Sequence, residues 1–287
     1  MHKNNCQLVK LLVSLNAQLE HADSLGETAL FTAIARGKLP VIHELLRQGC
    51  RINHCNTSGE TVLFLAIRMG RKDLVELLLA NGANVDIVNK HGSTPLLLAL
   101  ELFENAYSSV HATRKKAPSN MCEISRILIP LCRNLNHQHP NKGSALRITL
   151  NIEATHSPQD LHLSKFLLHH GAKPDSLFFL RYGGLVASNT GPEAEFFTEK
   201  FFNMAIMAGA NLHREKTWLI TVFMEMPEEL EPYQPLFSAL LEKASNPLTL
   251  LELSCMRIRG VLHGRLWKRI DRLPLPTTLK DMLKLKL

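Results

Sequence analysis

A spacing of 33 residues dominates the first third of the chain. Glycines and threonines recur together at this spacing, at Gly26, Gly59, Gly92, Thr28, Thr61 and Thr94. Gly49 and Gly82 repeat with the same period. A period of this length is typical of proteins built from small stacked units, in which each unit contacts only its neighbours. The chain of 287 residues is therefore expected to form a row of units and not one closed core.

The repeated residues predict the structure of each unit. The glycine that precedes the first helix can adopt a positive φ in a turn, and the threonine two residues later can cap the helix that follows. The closing glycine ends the second helix. That second helix carries an apolar stripe, formed in one unit by Leu74, Val75, Leu77, Leu78 and Leu79. Because a single unit cannot bury this stripe, neighbouring units must stack on it.

Three consecutive segments carry this pattern: SLGETALFTAIARGKLPVIHELLRQGCRINHCN, TSGETVLFLAIRMGRKDLVELLLANGANVDIVN and KHGSTPLLLAL. They resemble the ankyrin repeat, in which each unit is a β-turn followed by two helices. The resemblance implies an all-α ankyrin-repeat solenoid that binds other proteins through its turn tips and first helices.

The rest of 1–245 fits the same register with departures. Leu8 aligns with Leu74, so the chain begins in the second half of a unit, and either an upstream part is missing or the first helix pair is open at its outer edge. The third unit carries an insertion near 105–120, where HATRKKAPSN is typical of a loop because it contains proline and serine and has no apolar period. A fourth unit contains Gly143, and a degenerate fifth unit and one more helix pair follow, which gives about six units.

The net charge separates the end of the chain from the rest. The formal charge is +7 at pH 7. Residues 256–287 contain nine Lys or Arg against two Asp, and they account for the whole excess. Basic segments can bind phosphate backbones, but here the charges alternate with apolar residues. This pattern favours a solvated cationic face over a nucleic-acid site.

The C-terminal segment NPLTLLELSCMRIRGVLHGRLWKRIDRLPLPTTLKDMLKL begins at Asn246 and resembles the SOCS box. With the repeats before it, nearly the whole chain resembles the ankyrin-repeat and SOCS-box family. The resemblance implies a three-helix SOCS box over 246–287. It also implies an elongin-binding motif, matched here by Thr249, Leu250, Leu253, Ser254 and Ile258.

Two registers of this elongin-binding motif are open, because the family usually has cysteine where this chain has Ser254, and Cys255 follows directly. A register shifted by one residue would use Leu251 and Cys255, but it would place Arg259 where the motif has an aliphatic residue. The serine register aligns the apolar residues of the motif on one helical face, as insertion into a partner groove requires. We therefore prefer the serine register.

The resemblance further implies a cullin-binding motif, matched by Leu273, Pro274, Leu275, Pro276 and Leu279. Proline has a fixed φ and no N–H, so LPLP can hold an extended segment and present its leucines to a pocket at little entropic cost. By resemblance, that pocket belongs to cullin-5. The alternative is that the prolines only end a helix and the leucines fold back onto the repeats as a terminal cap.

The family resemblance implies the function of a substrate-recognition subunit of an elongin B/C–cullin-5 RING ubiquitin ligase. Its partners would be elongin B, elongin C, cullin-5 with its RING subunit, and a target protein that the sequence does not identify. The predicted substrate-binding residues are Arg51, His54, Thr57, Arg68, Val88, Lys90 and His91. The alternative function is a non-catalytic ankyrin scaffold that sequesters a partner protein without ubiquitination.

Other kinds of chemistry are not indicated. No nucleophile, base and oxyanion arrangement and no phosphate-binding glycine loop is visible, so we expect neither catalysis by this chain nor a cofactor. The histidines of HQHP and HH lack further ligands at matching spacing, so we expect no metal site. No apolar run approaches the roughly 18 residues of a membrane helix. We therefore expect a soluble protein. The six cysteines show no C-x-x-C pair, which fits reduced thiols and predicts a cytoplasmic protein that could also be nuclear.

Overall fold

The structure, a computed structural model, describes residues 7, 10–11, 15, 17–108, 117–155, 163–174, 205–206, 208–210, 220, 234–246, 254–259 and 270–285. Their helices are α1 (Ala29–Ala35), α2 (Leu39–Arg47), α3 (Val62–Arg68), α4 (Lys72–Ala80), α5 (Pro95–Ser108), α6 (Ala117–Leu128), α7 (Ala145–Thr155), α8 (Leu163–His169), α9 (Gln234–Ser245) and α10 (Thr277–Leu283). A shorter helical stretch covers 254–259. No strand occurs in the described part of the chain, and an isolated antiparallel bridge joins His139 and Gly143.

Contacts divide the chain into two compact units, Met1–Leu128 and Ile129–Leu287. The first contains α1 to α6, and the second contains α7 to α10. The boundary between these units, at residues 128 and 129, separates regions of dense internal contact. It differs from the boundary between the repeats and the SOCS box, which the sequence predicts at residues 245 and 246 and which stays a prediction.

The helices of the first unit stack in two rows. The first helices of successive repeats, α1, α3 and α5, pack on one another, and each packs on the second helix of its own repeat. Helix α3 is therefore covered on several sides, and its buried residues are Val62, Leu63, Phe64, Ala66 and Ile67. Burial of one such side chain contributes about 1.5 to 3 kcal/mol. Because a helix of 7 residues is marginal in isolation, this packing holds α3 in place.

The second helices are amphipathic. Helix α4 buries Leu74, Val75 and Leu78 and leaves Leu77 and Leu79 half-buried. The buried residues are one and four positions apart and therefore form a single stripe on the helix. The stripe faces the core, as the repeat pattern predicts.

The turn glycines have the backbone conformation that the repeat predicts. The φ angle is +74° at Gly26, +75° at Gly59 and +83° at Gly92. A Cβ atom on Gly26 would lie 2.9 Å from the backbone N of Thr57. A side chain at this position would therefore meet a strained φ and a clash with the next turn.

The predicted threonine caps form at one position of three. Thr94 Oγ1 accepts a hydrogen bond from the N–H of Leu97 at 3.2 Å. Thr28 and Thr61 occupy the N-cap positions of α1 and α3 but make no side-chain cap bond, and Thr61 Oγ1 is buried without a partner. The capping prediction is therefore wrong for Thr28 and Thr61. Burial of α1 and α3 holds these helix starts instead.

The loop predicted for the insertion is partly helical. Helix α5 continues to Ser108, and Ala117–Asn120 form the first turn of α6. The loop prediction is therefore wrong for 117–120. Pro118 is compatible with this turn, because the first N–H groups of a helix have no partner within it. Asn120 Nδ2 donates to the carbonyl oxygen of Gly70 at 3.2 Å, which fixes the turn against the second repeat.

The segment that the sequence predicts as a fourth repeat contains α7 and α8, which pack on each other. Helix α7 begins at Ala145, where the ankyrin pattern has proline, and Ser144 Oγ accepts a hydrogen bond from the N–H of Arg147 at 3.2 Å. Gly171 follows α8 with a φ of +101°. The half-unit at the N-terminus and most of the later repeats lie outside the described residues, so the predicted number of repeats stays a prediction.

Candidate functional site

The turn tips that precede α1, α3 and α5 are built in the same way. In each tip one side-chain oxygen accepts two backbone N–H groups: Asp23 Oδ1 from Leu25 and Glu27 (2.9 and 2.8 Å), Asn56 Oδ1 from Ser58 and Glu60 (3.0 and 2.9 Å), and Asn89 Oδ1 from His91 and Ser93 (3.0 and 2.9 Å). Such Asx turns fix the backbone locally. The side chains of the tips therefore project from a defined frame.

Neighbouring tips are also joined to each other. The N–H of Thr57 donates to the carbonyl oxygen of Leu25 at 2.9 Å, and the N–H of Lys90 donates to that of Ser58 at 3.0 Å. These bonds place the three tips side by side. Side chains at equivalent positions of the three repeats therefore share one surface.

The predicted substrate-binding residues lie on or beside this row of tips. The exposed ones are Arg51, Thr57, Arg68, Val88, Lys90 and His91. His54 is half-buried, and its Nε2–H donates to the carbonyl oxygen of Gly26 at 2.9 Å, so the ring links two repeats. Arg51 lies five residues before Asn56 of the second tip, and its backbone N–H donates to Glu20 Oε1 at 2.7 Å. The structure thus brings Thr57, Lys90 and His91 together in the row and sets Arg51 apart from it.

Arg68 reaches the tips from α3. Its guanidinium forms an ion pair with Glu60 Oε1, which also accepts a hydrogen bond from Asn89 Nδ2 at 3.1 Å. Glu60 and Asn89 are both buried. The ion pair balances a carboxylate charge that would otherwise be buried without a cation. The side chain of Arg68 is 45% exposed, so it is oriented by Glu60 and remains accessible to a partner.

One exposed apolar residue of this surface was missed by the sequence reasoning. Leu25 in the first tip is 59% exposed. The 33-residue register places Leu25 at the position of Ser58 and could have identified it.

The predicted elongin-binding residues are described only in part. Thr249, Leu250 and Leu253 lie outside the described residues, whereas Ser254 and Ile258 belong to the helical stretch 254–259. Ser254 is exposed and Ile258 is half-buried.

The stretch 254–259 has two different faces. Ser254 and Ile258, four residues apart, lie on the accessible face. Cys255 and Arg259, also four residues apart, are buried with 2% and 8% of their surface exposed. Residues four apart share a helix face, so one face packs inside the chain and the other remains accessible.

Arg259 is a buried cation that binds two backbone carbonyl groups. Its Nη2 donates to the carbonyl oxygen of Leu168 at 2.8 Å, and its Nη1 donates to that of Leu283. Burial lowers the pKa of the Arg259 guanidinium to about 10. Because this pKa lies far above neutral pH, the side chain is charged under physiological conditions.

The predicted cullin-binding residues lie between 270 and α10. Pro274 and Pro276 are exposed, and Leu273, Leu275 and Leu279 are half-buried. The N–H of Leu275 donates to the carbonyl oxygen of Leu273 at 2.8 Å and closes a three-residue turn around Pro274. The prediction of an extended LPLP segment is therefore wrong at Leu273–Leu275. The fixed φ of proline suits such a turn as well as an extended chain.

The residues that follow the prolines pack inward. Leu283 and Leu285 are buried. His169 Nδ1 donates to the carbonyl oxygen of Lys284 at 2.8 Å, and Lys284 forms an ion pair with Asp271. The last described residues thus pack inside the second compact unit, while the two prolines face solvent. The alternative that the leucines of LPLP cap the repeats is not tested by this packing, because Leu273 and Leu275 are only half-buried.

Other reactive groups do not assemble into a site. Among the described side chains, no group of three His, Cys, Asp or Glu could hold a metal ion.

Cys50 and Cys55 are free thiols, and burial raises the pKa of Cys50 to about 11, so it is not a thiolate at neutral pH. His170 is half-buried, its Nδ1 donates to the carbonyl oxygen of Phe166 at 2.8 Å, and burial lowers its pKa. None of the described helices is both long and apolar enough to cross a membrane.

Two family models match the chain. The model described as ankyrin repeats (3 copies) matches residues 1–89 and, in an overlapping match, residues 34–112. The SOCS box model matches residues 246–284. The chain belongs to the ankyrin-repeat and SOCS-box family. The predicted all-α fold, with ankyrin repeats followed by a SOCS box, is confirmed.

Among solved structures, this member of the ankyrin-repeat and SOCS-box family is similar to an ankyrin repeat domain from Acinetobacter baumannii AYE. The two share 26% identity, the match covers 60% of this chain and 78% of that chain, and the TM-score is 0.48. No curated protein matches the chain.

Membership of the ankyrin-repeat and SOCS-box family assigns a role to each module. Ankyrin repeats bind proteins, and the SOCS box is an adaptor module of elongin B/C–cullin ubiquitin ligases. Both modules act by binding and are not catalytic domains. The chain is therefore an adaptor that connects a bound protein to such a ligase.

Proposed function

We propose that this protein is the substrate-recognition subunit of an elongin B/C–cullin-5 RING ubiquitin ligase and promotes ubiquitination of the protein held by its repeats. The observation that carries the proposal is the two-faced helix 254–259. Cys255 and Arg259 are used inside the chain, whereas Ser254 and Ile258 stay accessible. This division supports the serine register of the elongin-binding motif, because the shifted register would require the buried pair to face the partner.

The exposed prolines support cullin-5 as the next partner. Pro274 and Pro276 face solvent, and the leucines beside them are only half-buried. The turn around Pro274 holds these side chains in one arrangement before binding, which reduces the entropic cost of docking. We assign cullin binding to 273–279, and we assign capping of the repeats to the buried residues after α10.

The tip surface is the proposed docking site for the target protein. We define it by its accessible side chains: Leu25, Thr57, Arg68, Val88, Lys90 and His91. It combines a rigid backbone with apolar and basic side chains. Because the backbone of the tips is already fixed, the entropic cost of ordering it on binding is small.

The gain in ubiquitination rate would come from proximity, because a lysine of the bound target is held near the charged conjugating enzyme. The proposal places this reaction in the cytoplasm, with the nucleus as a second compartment.

Co-purification with elongin B/C tests the ligase assignment. Leu250→Ala should abolish co-purification, because a buried leucine at the centre of a groove contributes about 2 to 4 kcal/mol. Ile258→Asp should do the same. Leu251→Ala is the matched control and should retain elongin B/C, since Leu251 belongs to the shifted register. A folded wild-type chain that binds its target but never binds elongin B/C would instead be a sequestering scaffold.

Quantitative mass spectrometry of proteins that accumulate on the chain when the cullin is inhibited tests the docking site. The double variant Leu25→Asp, Val88→Asp should lose these proteins, because carboxylates would replace two exposed apolar side chains that the bound target would bury. Leu39→Asp is the control, since Leu39 is also exposed but begins α2, away from the tips. Equal retention by the two variants would contradict the assignment of the tip surface.

A further inference from the structure

The C-terminal ends of two helices meet at one buried guanidinium. Leu168 lies in the last turn of α8, in the segment predicted as the fourth repeat, and Leu283 ends α10 in the SOCS box. Arg259 donates to the carbonyl oxygens of both, at 2.8 Å for Leu168. It is thus the centre of a contact between the predicted fourth repeat and the SOCS box within the second compact unit.

The chemistry of this contact suits arginine better than any other side chain. The last four carbonyl groups of a helix have no partner within it and carry the negative end of the helix dipole. A guanidinium offers several N–H donors in a planar fork, so one side chain can bind carbonyl groups of two helices at once. A lysine has a single nitrogen and cannot reproduce this fork.

A second bond reinforces the same contact. His169 Nδ1 donates to the carbonyl oxygen of Lys284 at 2.8 Å, and Lys284 is paired with Asp271. The end of α8 and the end of α10 are therefore linked both through Arg259 and directly. Arg257, two residues earlier, is exposed and provides a neighbouring arginine outside the contact.

We propose that Arg259 is a positioning residue that fixes the SOCS box against the end of α8 and so sets the direction in which Ser254 and Ile258 face elongin C. The first part of this proposal concerns the chain alone. The second part rests on the proposed ligase function. Cys255 and Arg259 hold helix 254–259 from its buried face, so Ser254 and Ile258 on the accessible face are ordered before elongin C binds.

Hydrogen exchange of the free chain tests the first part. In Arg259→Met, amides of 163–170 and of 277–285 should exchange about tenfold faster or more, because the contact that protects both is lost. Amides of α3 and α4 should keep their protection, and Arg257→Met should leave all three regions unchanged. A purely local role in helix 254–259 would not change exchange at 163–170, so unchanged exchange there overturns the proposal.

Two further variants keep the test decisive if Arg259→Met does not fold. Arg259→Lys keeps the charge and the aliphatic stem but loses the fork, and His169→Ala removes the direct bond to the carbonyl oxygen of Lys284. Both should speed exchange at 163–170 and at 277–285 together. Wild-type protection in Arg259→Lys would show that the fork to the carbonyl oxygens of Leu168 and Leu283 is not needed and would refute the proposed contact.

Calorimetric titration with purified elongin B/C tests the second part. Arg259→Met should bind several-fold more weakly than wild type although Ser254 and Ile258 are intact, and Arg257→Met should bind like wild type. Equal affinity of the two variants overturns this part. If the wild-type chain itself does not bind elongin B/C, the ligase proposal fails, while the exchange experiment still decides whether Arg259 positions the SOCS box.

Discussion

Asn89 Nδ2 donates a hydrogen bond to Glu60 Oε1 across 3.1 Å in buried surroundings. Asn89 Oδ1 accepts the N–H groups of His91 and Ser93, so one side chain fixes its own tip and holds the carboxylate of the preceding repeat. The same carboxylate orients Arg68 on the proposed docking surface. The shape of that surface therefore depends on a buried residue that does not belong to it.

Asn89→Ala should lower the free energy of unfolding by about 2 to 4 kcal/mol, because it removes three hydrogen bonds and leaves Glu60 with Arg68 alone. Urea unfolding at neutral pH measures this change. Lys90→Ala is the control, since it removes an exposed neighbouring side chain and should change stability by no more than about 0.5 kcal/mol. Equal effects of the two substitutions would show that the buried bonds contribute nothing.

The tip glycines and the closing glycines should differ in their tolerance of a side chain. Gly26→Ala should cost about 2 kcal/mol or more, because alanine would adopt a φ of +74° and place its Cβ 2.9 Å from the backbone N of Thr57. Gly49→Ala has a similar φ of +78° but open space around the new Cβ, so it should cost only about 1 kcal/mol. Thermal unfolding of both variants compares strain plus clash with strain alone.

The sequence predicts what is periodic and misses what is not. The 33-residue spacing predicts the positive φ of Gly26 and the stripe of α4, because both follow from the same local rule in each unit. It does not predict that Thr61 leaves its hydroxyl without a partner, because packing overrides a local preference for capping. The contact between Arg259 and Leu168 joins residues far apart in sequence, and no spacing encodes it. Composition alone assigned Ala117–Asn120 to a loop, although Pro118 fits a first helical turn.

Stability should fall in mild acid through His170. Burial lowers the pKa of this histidine below its ordinary value of 6.5. As the pH falls below 6.5, the unfolded chain takes up a proton that the folded chain accepts only at lower pH, so stability present above 6.5 is lost. His170→Gln should therefore show a smaller difference in Tm between about pH 7.5 and 5.5 than wild type. His91→Gln removes an exposed ring and should behave like wild type; an equal effect of both variants would assign the acid sensitivity to other groups.

The exposed proline pair separates the two interpretations of the C-terminal segment. Replacing Pro274 and Pro276 with alanine leaves helix 254–259 intact, so elongin B/C should still co-purify while cullin-5 binding is lost or sharply weakened. Alanine frees two φ angles in the unbound segment and allows 274–276 to join α10, so the neighbouring leucines lose their arrangement. Pro140→Ala, which changes an exposed proline before α7, is the control and should affect neither partner.

If the prolines served only to end a helix and cap the repeats, the double variant would instead lower the Tm, with no cullin-5 binding to lose in the wild type. Pull-down with cullin-5 and thermal unfolding of the same variant decide between these outcomes, and full cullin-5 binding by the double variant would refute the proposed role of the prolines.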